Sequence, residues 1–435
     1  MRIWNKDMEC QDGEELAQLQ LERLQSTLNR AYKNVPFYRN CLGEACMDPS
    51  SVRSLADLKM VPLTSREELS QNYPYGLFAV PLKDIVRIHT ATGTGSNPTV
   101  SGYTNTDLGN WTEMVARALT AAGVRADDII QICFDTGLAN WAREFMRGAE
   151  AIRASVIPMT TLEIPKQVMV MNDYKTSVLV TSPSYARQLL REMTRMGVNP
   201  NSLSLKRALL IGEILSEPGR INLEKALHIH IHGGYGLSEV PGPGIAYDCK
   251  ERRGLHINED HFVAEIIDPA THEVLPSGEA GELILTSLTA RAFPLIRFRT
   301  GDFARIITEI CPCSRSFARL ESVPGRADHL VVIRGIKLHP QLIHAVMSRT
   351  CQGKLPDYVS FVRRLEDLDT LEVLVQVDET CFSDEIKGLE HLVQVARAEL
   401  EQSLGIPVKV RLVEPGTMDN YRDRLTEILD ERVKG

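Results

Sequence analysis

The run A-L-H-I-H-I-H-G-G-Y-G-L-S-E-V-P-G-P, residues 226–243, carries the reading on which the rest of the chain depends. Its first seven residues alternate apolar side chains with His, so Ala226 to His232 reads as a short strand. That alternation places His228, His230 and His232 on one face, as a polar strand face near a sheet edge or as a metal-binding strip. Gly233 and Gly234 then break the strand, and Tyr235, Ser238 and Glu239 follow within five residues. A strand end opening into a Gly-bounded loop is where α/β sheets place ligand groups. Ser238 and Glu239 offer oxygen atoms to a hard cation such as Mg2+, and Tyr235 offers a flat face to a base or aryl ring. The same residues also fit a plain turn carrying an exposed acid.

Upstream, strands and helices alternate. Ile129–Phe134, Ala154–Pro158, Ser177–Thr181 and Arg207–Ile211 read as strands, with Ser184–Met196 and Glu217–Ala226 among the helices between them. That order implies a largely parallel α/β sheet. Earlier still, a helical period covers residues 14–34 and ends at Val35-Pro36, and a second helix near Ser65 to Asn72 starts at Thr64 with a Ser/Thr-x-x-Glu cap. The hydroxyl-rich stretch T-A-T-G-T-G-S-N-P-T, residues 90–99, lies between two strand candidates, where backbone N–H and hydroxyl groups can wrap a phosphate; a turn is the other reading.

Downstream, Phe262–Asp268, Gly281–Leu288, Leu295–Phe298 and Phe303–Ile307 are closely spaced strand candidates, which implies a β-rich subdomain. Gly325–Asp328 reads as a boundary. It separates a large α/β domain, residues 1–327, from a small C-terminal α+β domain, residues 328–435.

Composition narrows the function classes. The 435 residues are 43% hydrophobic and 24% charged, with a net charge of −8, so a nucleic-acid partner is not expected. The N-terminus has no apolar signal segment, and no uncharged run reaches the roughly 18 residues of a bilayer span. Nine scattered cysteines suit a reducing cytoplasm better than a disulfide framework.

The loops T-A-T-G-T-G-S-N-P-T, Y-G-L-S-E-V-P-G-P-G, F-P-L-I-R-F-R-T-G-D, G-R-A-D-H-L-V-V-I-R-G and V-E-P-G-T, in that order, resemble the adenylate-forming acyl–CoA synthetases, and within them most of all the phenylacetate–CoA ligases. The resemblance runs nearly end to end and implies an ATP-dependent, AMP-forming ligase that joins an aromatic carboxylic acid to coenzyme A through an acyl-adenylate. It makes 1–327 the AMP-binding domain and 328–435 a mobile domain hinged near Asp328. It implies that Thr92, Gly93 and Thr94 hold the β/γ-phosphates, that Gly212, Glu213, Tyr235 and Gly236 lie about the nucleotide, and that Asp302 accepts from the ribose hydroxyls. Arg326 would support ribose or phosphate, Ser238 would stand by the acyl-phosphate, and Glu239 would hold Mg2+. Phe134, Trp141, Tyr235 and Gly242 are then the acyl pocket, and dimers are an expected assembly.

The chain departs from the family at three places. The phosphate loop usually reads S-G-T-T-G-K-P-T, and here Ser96 and Asn97 stand at its Gly and Lys. Losing that lysine removes roughly 1.5–3 kcal/mol of charge-assisted contact, about one to two decades in ATP affinity. At the family's C-terminal lysine this chain has Arg424, which keeps the charge but not the compact ammonium. Trp141, Arg143 and Glu144 are bulky where small residues usually flank the acyl pocket, as a reshaped pocket or a filled one. The alternative function is therefore a catalytically impaired nucleotide- or acyl-adenylate-binding homologue with a regulatory role. Finally, Cys249, His256, Cys311 and Cys313 compose a Cys3His set; the resemblance implies structural Zn2+ there, and free buried cysteines are the other reading.

Overall fold

The computed structural model describes residues 2–432 apart from 92–96, 135–138, 159–161, 241, 328–329, 335, 351–356, 366–367, 377–385 and 415. The chain divides into two compact units, Met1–Ala327 and Asp328–Gly435. Unit 1 opens with helices α1 (Lys6–Glu9), α2 (Gly13–Asn34), α3 (Pro36–Glu44) and α4 (Arg66–Gln71), then the hairpin strands β1 (Arg87–Ala91) and β2 (Thr99–Tyr103). An alternating stretch follows: α5 (Asn105–Ala121), β3 (Ile129–Cys133), α6 (Ala139–Ala151), β4 (Ser155–Ile157), α7 (Ile164–Asp173), β5 (Val178–Thr181), α8 (Pro183–Arg195), β6 (Arg207–Leu210), α9 (Glu217–Leu227) and β7 (His230–Tyr235). The remaining strands of the unit are β8 (Ala246–Tyr247), β9 (Leu255–Ile257), β10 (Phe262–Ile267), β11 (Gly281–Ser287), β12 (Phe298–Ile307) and β13 (Arg319–Arg326).

One sheet joins eleven of these strands, in the order β10-β11-β12-β13-β9-β8-β7-β6-β5-β3-β4. The half from β4 to β7 is parallel, and the half beyond β7 is antiparallel. Strand β5, V-L-V-T, is buried at all four positions, as a central parallel strand covered on both faces must be. The β-rich part continues the parallel sheet, because β7 has a parallel neighbour on one edge and an antiparallel one on the other.

Several local expectations shift for physical reasons. Strand β7 starts at His230 and runs through both glycines to Tyr235, where its ladder to β8 pairs Gly234 with Tyr247. His228 instead ends α9 with φ +56 and lies outside the strand, so of the three histidines β7 carries His230, exposed, and His232, buried. The α4 capping box belongs to Ser65 and Glu68; the Thr64 hydroxyl donates to the Ile296 carbonyl at 2.7 Å. Of the two strands expected at 295–307, residues 295–297 lie outside β12, because Arg297 sits at φ +46 and turns the chain just before Phe298, and β12 then runs unbroken to Ile307. Strand β13 runs through Pro324 and Gly325, two residues that argue against a strand when read locally.

Unit 2 holds the hairpin β14 (Val331–Ile333) and β15 (Ile336–Leu338), α10 (Pro340–Thr350), β16 (Tyr358–Leu365), β17 (Leu368–Gln376), α11 (Ile386–Leu404), β18 (Val408–Val413) and β19 (Ile428–Asp430). Its four-stranded sheet has the order β18-β17-β16-β19. Buried residues of α10 and α11 pack with β16 and β17 in one apolar cluster that includes Ile343, Leu371 and Leu400. Among the described residues no helix is long and apolar enough to cross a membrane.

The core of unit 1 encloses a polar cluster. Arg117 on α5 is 1% exposed and bonds Asp260 with both terminal nitrogens, at 2.7 and 2.9 Å. Asn258, at 2.9 Å, and Glu113 complete its partners, and His261 lies 3.4 Å from the same aspartate. Removing one member of such a pair leaves an uncompensated buried charge. Asp260→Ala is accordingly expected to lower stability by about 3–5 kcal/mol, read as a fall in the denaturation midpoint.

Candidate functional site

The loop after β7 is folded back on itself and needs glycine twice. A Cβ on Gly242 would lie 2.6 Å from the Leu237 nitrogen, and one on Gly236 would lie 2.9 Å from the Pro243 Cα. Trp111 donates from Nε1 to the Pro243 carbonyl at 2.8 Å, and the indole of Trp141 reaches to 3.4 Å from the Gly236 Cβ position. Two aromatic side chains thereby hold a loop that carries Ser238, half-buried, and Glu239, 2% exposed.

Tyr235, Asp302 and Arg326 meet at the base of this loop. The Tyr235 hydroxyl donates to Asp302 Oδ2 at 2.7 Å, and Arg326 forms an ion pair with Oδ1. Asp302 and Arg326 are register partners across β12 and β13, so strand pairing alone sets them opposite each other. Desolvation, then the Asp302 charge, raises the Tyr235 hydroxyl well above its usual pKa, keeping it a proton donor at neutral pH. These partners occupy two of the carboxylate's about four acceptor sites, which leaves capacity for a further pair of hydroxyl donors.

The Thr300 carbonyl links this group to the loop. It accepts from Arg326 at 2.9 Å and from Arg66 at 2.8 Å, and Arg66 Nε stands 3.1 Å from Glu239 Oε1. Arg66 went unnoticed in the sequence because its partner is 173 residues away; the only local signal was the helix cap beside it.

The neighbouring strand ends contribute more. Past β6, Gly212 takes φ +90, and both oxygens of Glu213 bind Ser184, the backbone N–H at 2.9 Å and the hydroxyl at 2.5 Å. Glu213 therefore fastens the first turn of α8, where an acid also suits the helix dipole. Phe134, 7% exposed, follows β3 and sits 6.0 Å from the Phe145 ring. Asn97 is bound to Ser70 on α4: its side-chain amide donates to the Ser70 carbonyl at 3.3 Å and its backbone N–H to the hydroxyl at 3.2 Å. Thr92, Gly93 and Thr94, and the hinge expected near Asp328, lie outside the described residues. Arg424 belongs to unit 2, where it is exposed and pairs with Glu427 at 3.1 Å.

Cys249, His256, Cys311 and Cys313 form a second site. All four are buried, and their ligand atoms lie within 4.8 Å of one another. The Cys249 and Cys311 sulfurs are 3.8 Å apart, and Cys313 Sγ is 3.3 Å from His256 Nε2. His256 Nδ1 donates to the Phe317 carbonyl at 3.1 Å, which turns Nε2 toward the thiols. Arg315 also reaches Cys313 Sγ at 3.7 Å, and its buried ion pair with Glu9 at 2.5 Å ties α1 to this cluster.

Comparison with known proteins gives consistent matches. Residues 335–432 match the model of the AMP-binding enzyme C-terminal domain. A phenylacetate-coenzyme A ligase of Thermus thermophilus is 37% identical over 99% of this chain and 100% of its own length. The enzyme of the same name from Escherichia coli is 35% identical over 98% of this chain and 97% of its own. A crystal structure of 2-hydroxyisobutyryl-CoA ligase, in complex with 2-HIB-AMP and CoA in its thioesterification state, superposes with a TM-score of 0.90 at 25% identity, covering 99% of this chain and 93% of that one.

Two of the three tryptophans touch the β7 loop, so its packing has an optical readout. Gly242→Ala is expected to displace the loop and change intrinsic fluorescence, while far-UV circular dichroism stays near wild type.

Proposed function

The chain belongs to the phenylacetate-coenzyme A ligase family, and on that footing we propose that it is an ATP-dependent, AMP-forming ligase that activates a carboxylic acid as its acyl-adenylate and passes the acyl group to coenzyme A. The relatives are named for phenylacetate, which makes arylacetic acids the first to assay. The observation that carries this reading is the Tyr235–Asp302–Arg326 group beneath the loop at the end of β7.

In this reading Asp302 accepts from the ribose hydroxyls with its remaining acceptor capacity, while Arg326 holds the carboxylate in place. Tyr235 lies against the adenine, with Gly212 and Glu213 shaping the adjoining edge at the end of β6. Ser238 and the loop backbone face the reacting carboxylate and α-phosphate. Glu239 is a buried oxygen donor of the kind Mg2+ takes one or two of, and Arg66 supports it at 3.1 Å; the cation would offset the charge of the departing pyrophosphate. Thr92, Gly93 and Thr94 are proposed for the β/γ-phosphates and Arg424 for the adenylation step. Unit 1 is then the adenylation domain and unit 2 its mobile partner, rotating between half-reactions. A cytoplasmic location suits the reduced cysteines, and a homodimer is the proposed assembly.

Adenylation is measured by acid-dependent pyrophosphate exchange. Asp302→Ala should weaken ATP binding about ten- to a hundredfold through its lost charge-assisted hydrogen bonds. Asn97 is turned onto Ser70, so Asn97→Lys should tighten ATP by up to about the same factor. An alternative, an impaired nucleotide-binding homologue, is favoured if ATP binds by calorimetry but neither wild type nor an Asn97→Lys, Arg424→Lys double variant supports exchange with any acid.

We also propose that the Cys3His cluster holds a structural zinc ion. A tetrahedral zinc with bonds of about 2.3 Å to sulfur sets its sulfurs about 3.8 Å apart, the spacing of Cys249 and Cys311. All four positions come from the protein, so the metal would stabilise rather than catalyse. Elemental analysis is expected to return about one zinc per chain, falling on Cys311→Ser; well under one in wild type sinks the assignment.

A further inference from the structure

One charged side chain of unit 1 has no part in the reading above. Glu144 on α6 is completely buried. Its Oε1 is taken by Arg87 on β1, while its Oε2 is buried without a hydrogen-bond partner. A buried carboxylate oxygen left without a donor is costly, and native interiors rarely keep one unless something else supplies the donor.

Its position indicates what that donor belongs to. Trp141 stands three residues before Glu144, on the same side of α6, and its indole packs on Gly236 in the β7 loop. Helix α6 starts shortly beyond the C-terminal end of β3, so its first turns border the strand ends where α/β sheets take ligands. Phe134 and Phe145 close the same region from β3 and α6. Beside the loop, the Trp141 indole fills the space next to Gly236.

The charge balance narrows the chemistry of the donor. Arg87 already neutralises Glu144, and Arg143 and Arg147 add positive potential around Arg87. An ammonium group would raise an existing excess of cations, whereas a neutral hydroxyl donates without adding charge. A short acid whose far end carries a neutral O–H meets both conditions, the charge balance and the space beside Trp141.

We propose that the acyl site selects a short hydroxy acid over an arylacetic acid, with Trp141 limiting the length of the acyl chain and Glu144 accepting its hydroxyl. This rests on the ligase reading and names its substrate class. Both residues act on specificity rather than on the reacting atoms.

The test is pyrophosphate exchange and thioester formation with 2-hydroxybutyrate, 3-hydroxybutyrate, butyrate and phenylacetate. Wild type should use one of the hydroxy acids with kcat/KM about tenfold or more above butyrate and above phenylacetate. Glu144→Gln, which keeps a polar partner for Arg87, should reduce the hydroxy-to-unsubstituted ratio toward one by raising KM for the hydroxy acid alone. Trp141→Gly should raise kcat/KM for phenylacetate by about tenfold or more. Wild-type preference for phenylacetate over all three short acids overturns the proposal and leaves the ligase reading intact. A parallel loss on every acid in Glu144→Gln, with the ratio unchanged, also overturns it by marking a structural role. Absence of exchange with every acid, including a wider aryl panel, defeats the ligase reading and this inference together. The wild-type comparison decides the matter even where a variant folds poorly.

Discussion

Strand β7 pairs parallel with β6 on one edge and antiparallel with β8 on the other, and the placement of the site follows from that double role. The parallel half delivers its strand ends, after β3, β5 and β6, to one side of the sheet. The antiparallel half brings β12 and β13 to the same neighbourhood, with Asp302 and Arg326 in register. At the seam the chain leaves β7 through Tyr235, whose hydroxyl then bonds Asp302, 67 residues further on. A sheet of one kind alone would put those residues on separate elements with no shared edge.

Charged groups drawn out of water hold the surroundings of that seam. Arg66 and Arg326 share the Thr300 carbonyl as acceptor, which couples the first helices of unit 1 to β12 and β13. Arg117 with Asp260, and Arg315 with Glu9, do the same for α5 and α1. Buried pairs of this kind add little net stability over an apolar core, but breaking one is expensive, so they define a single arrangement. Among the described residues, Glu144 is a further buried carboxylate, ion-paired to Arg87, whose second oxygen has no hydrogen-bond partner.

Two of the residues singled out in the sequence, Asn97 and Trp141, have clear packing roles. Asn97 is fastened to Ser70, so the chain just before β2 is anchored to α4 by neutral hydrogen bonds. Trp141 fills space beside Gly236 in the β7 loop. Both side chains are engaged in packing within unit 1.

Much of this was legible in the residues alone. Helical periods, β-branched runs and turn residues are local signals, and they located β3, β5, β6 and the helices α2, α4, α8 and α9 to within a residue or two. The motif order placed Tyr235, Glu239, Asp302 and Arg326 in one family pattern, and Cys249, His256, Cys311 and Cys313 in one donor set. What the sequence by itself left undetermined were the local details set by partners far along the chain. Gly233 and Gly234 stay in a strand because β8 supplies the ladder, and β13 runs through Pro324-Gly325 because β12 does. The capping box fell to Ser65 because Thr64 was needed by Ile296, and Arg66 became a site residue through contacts beyond any local window. Local propensity is worth tenths of a kcal/mol per residue to about one, so a long-range ladder or a buried charge decides such cases.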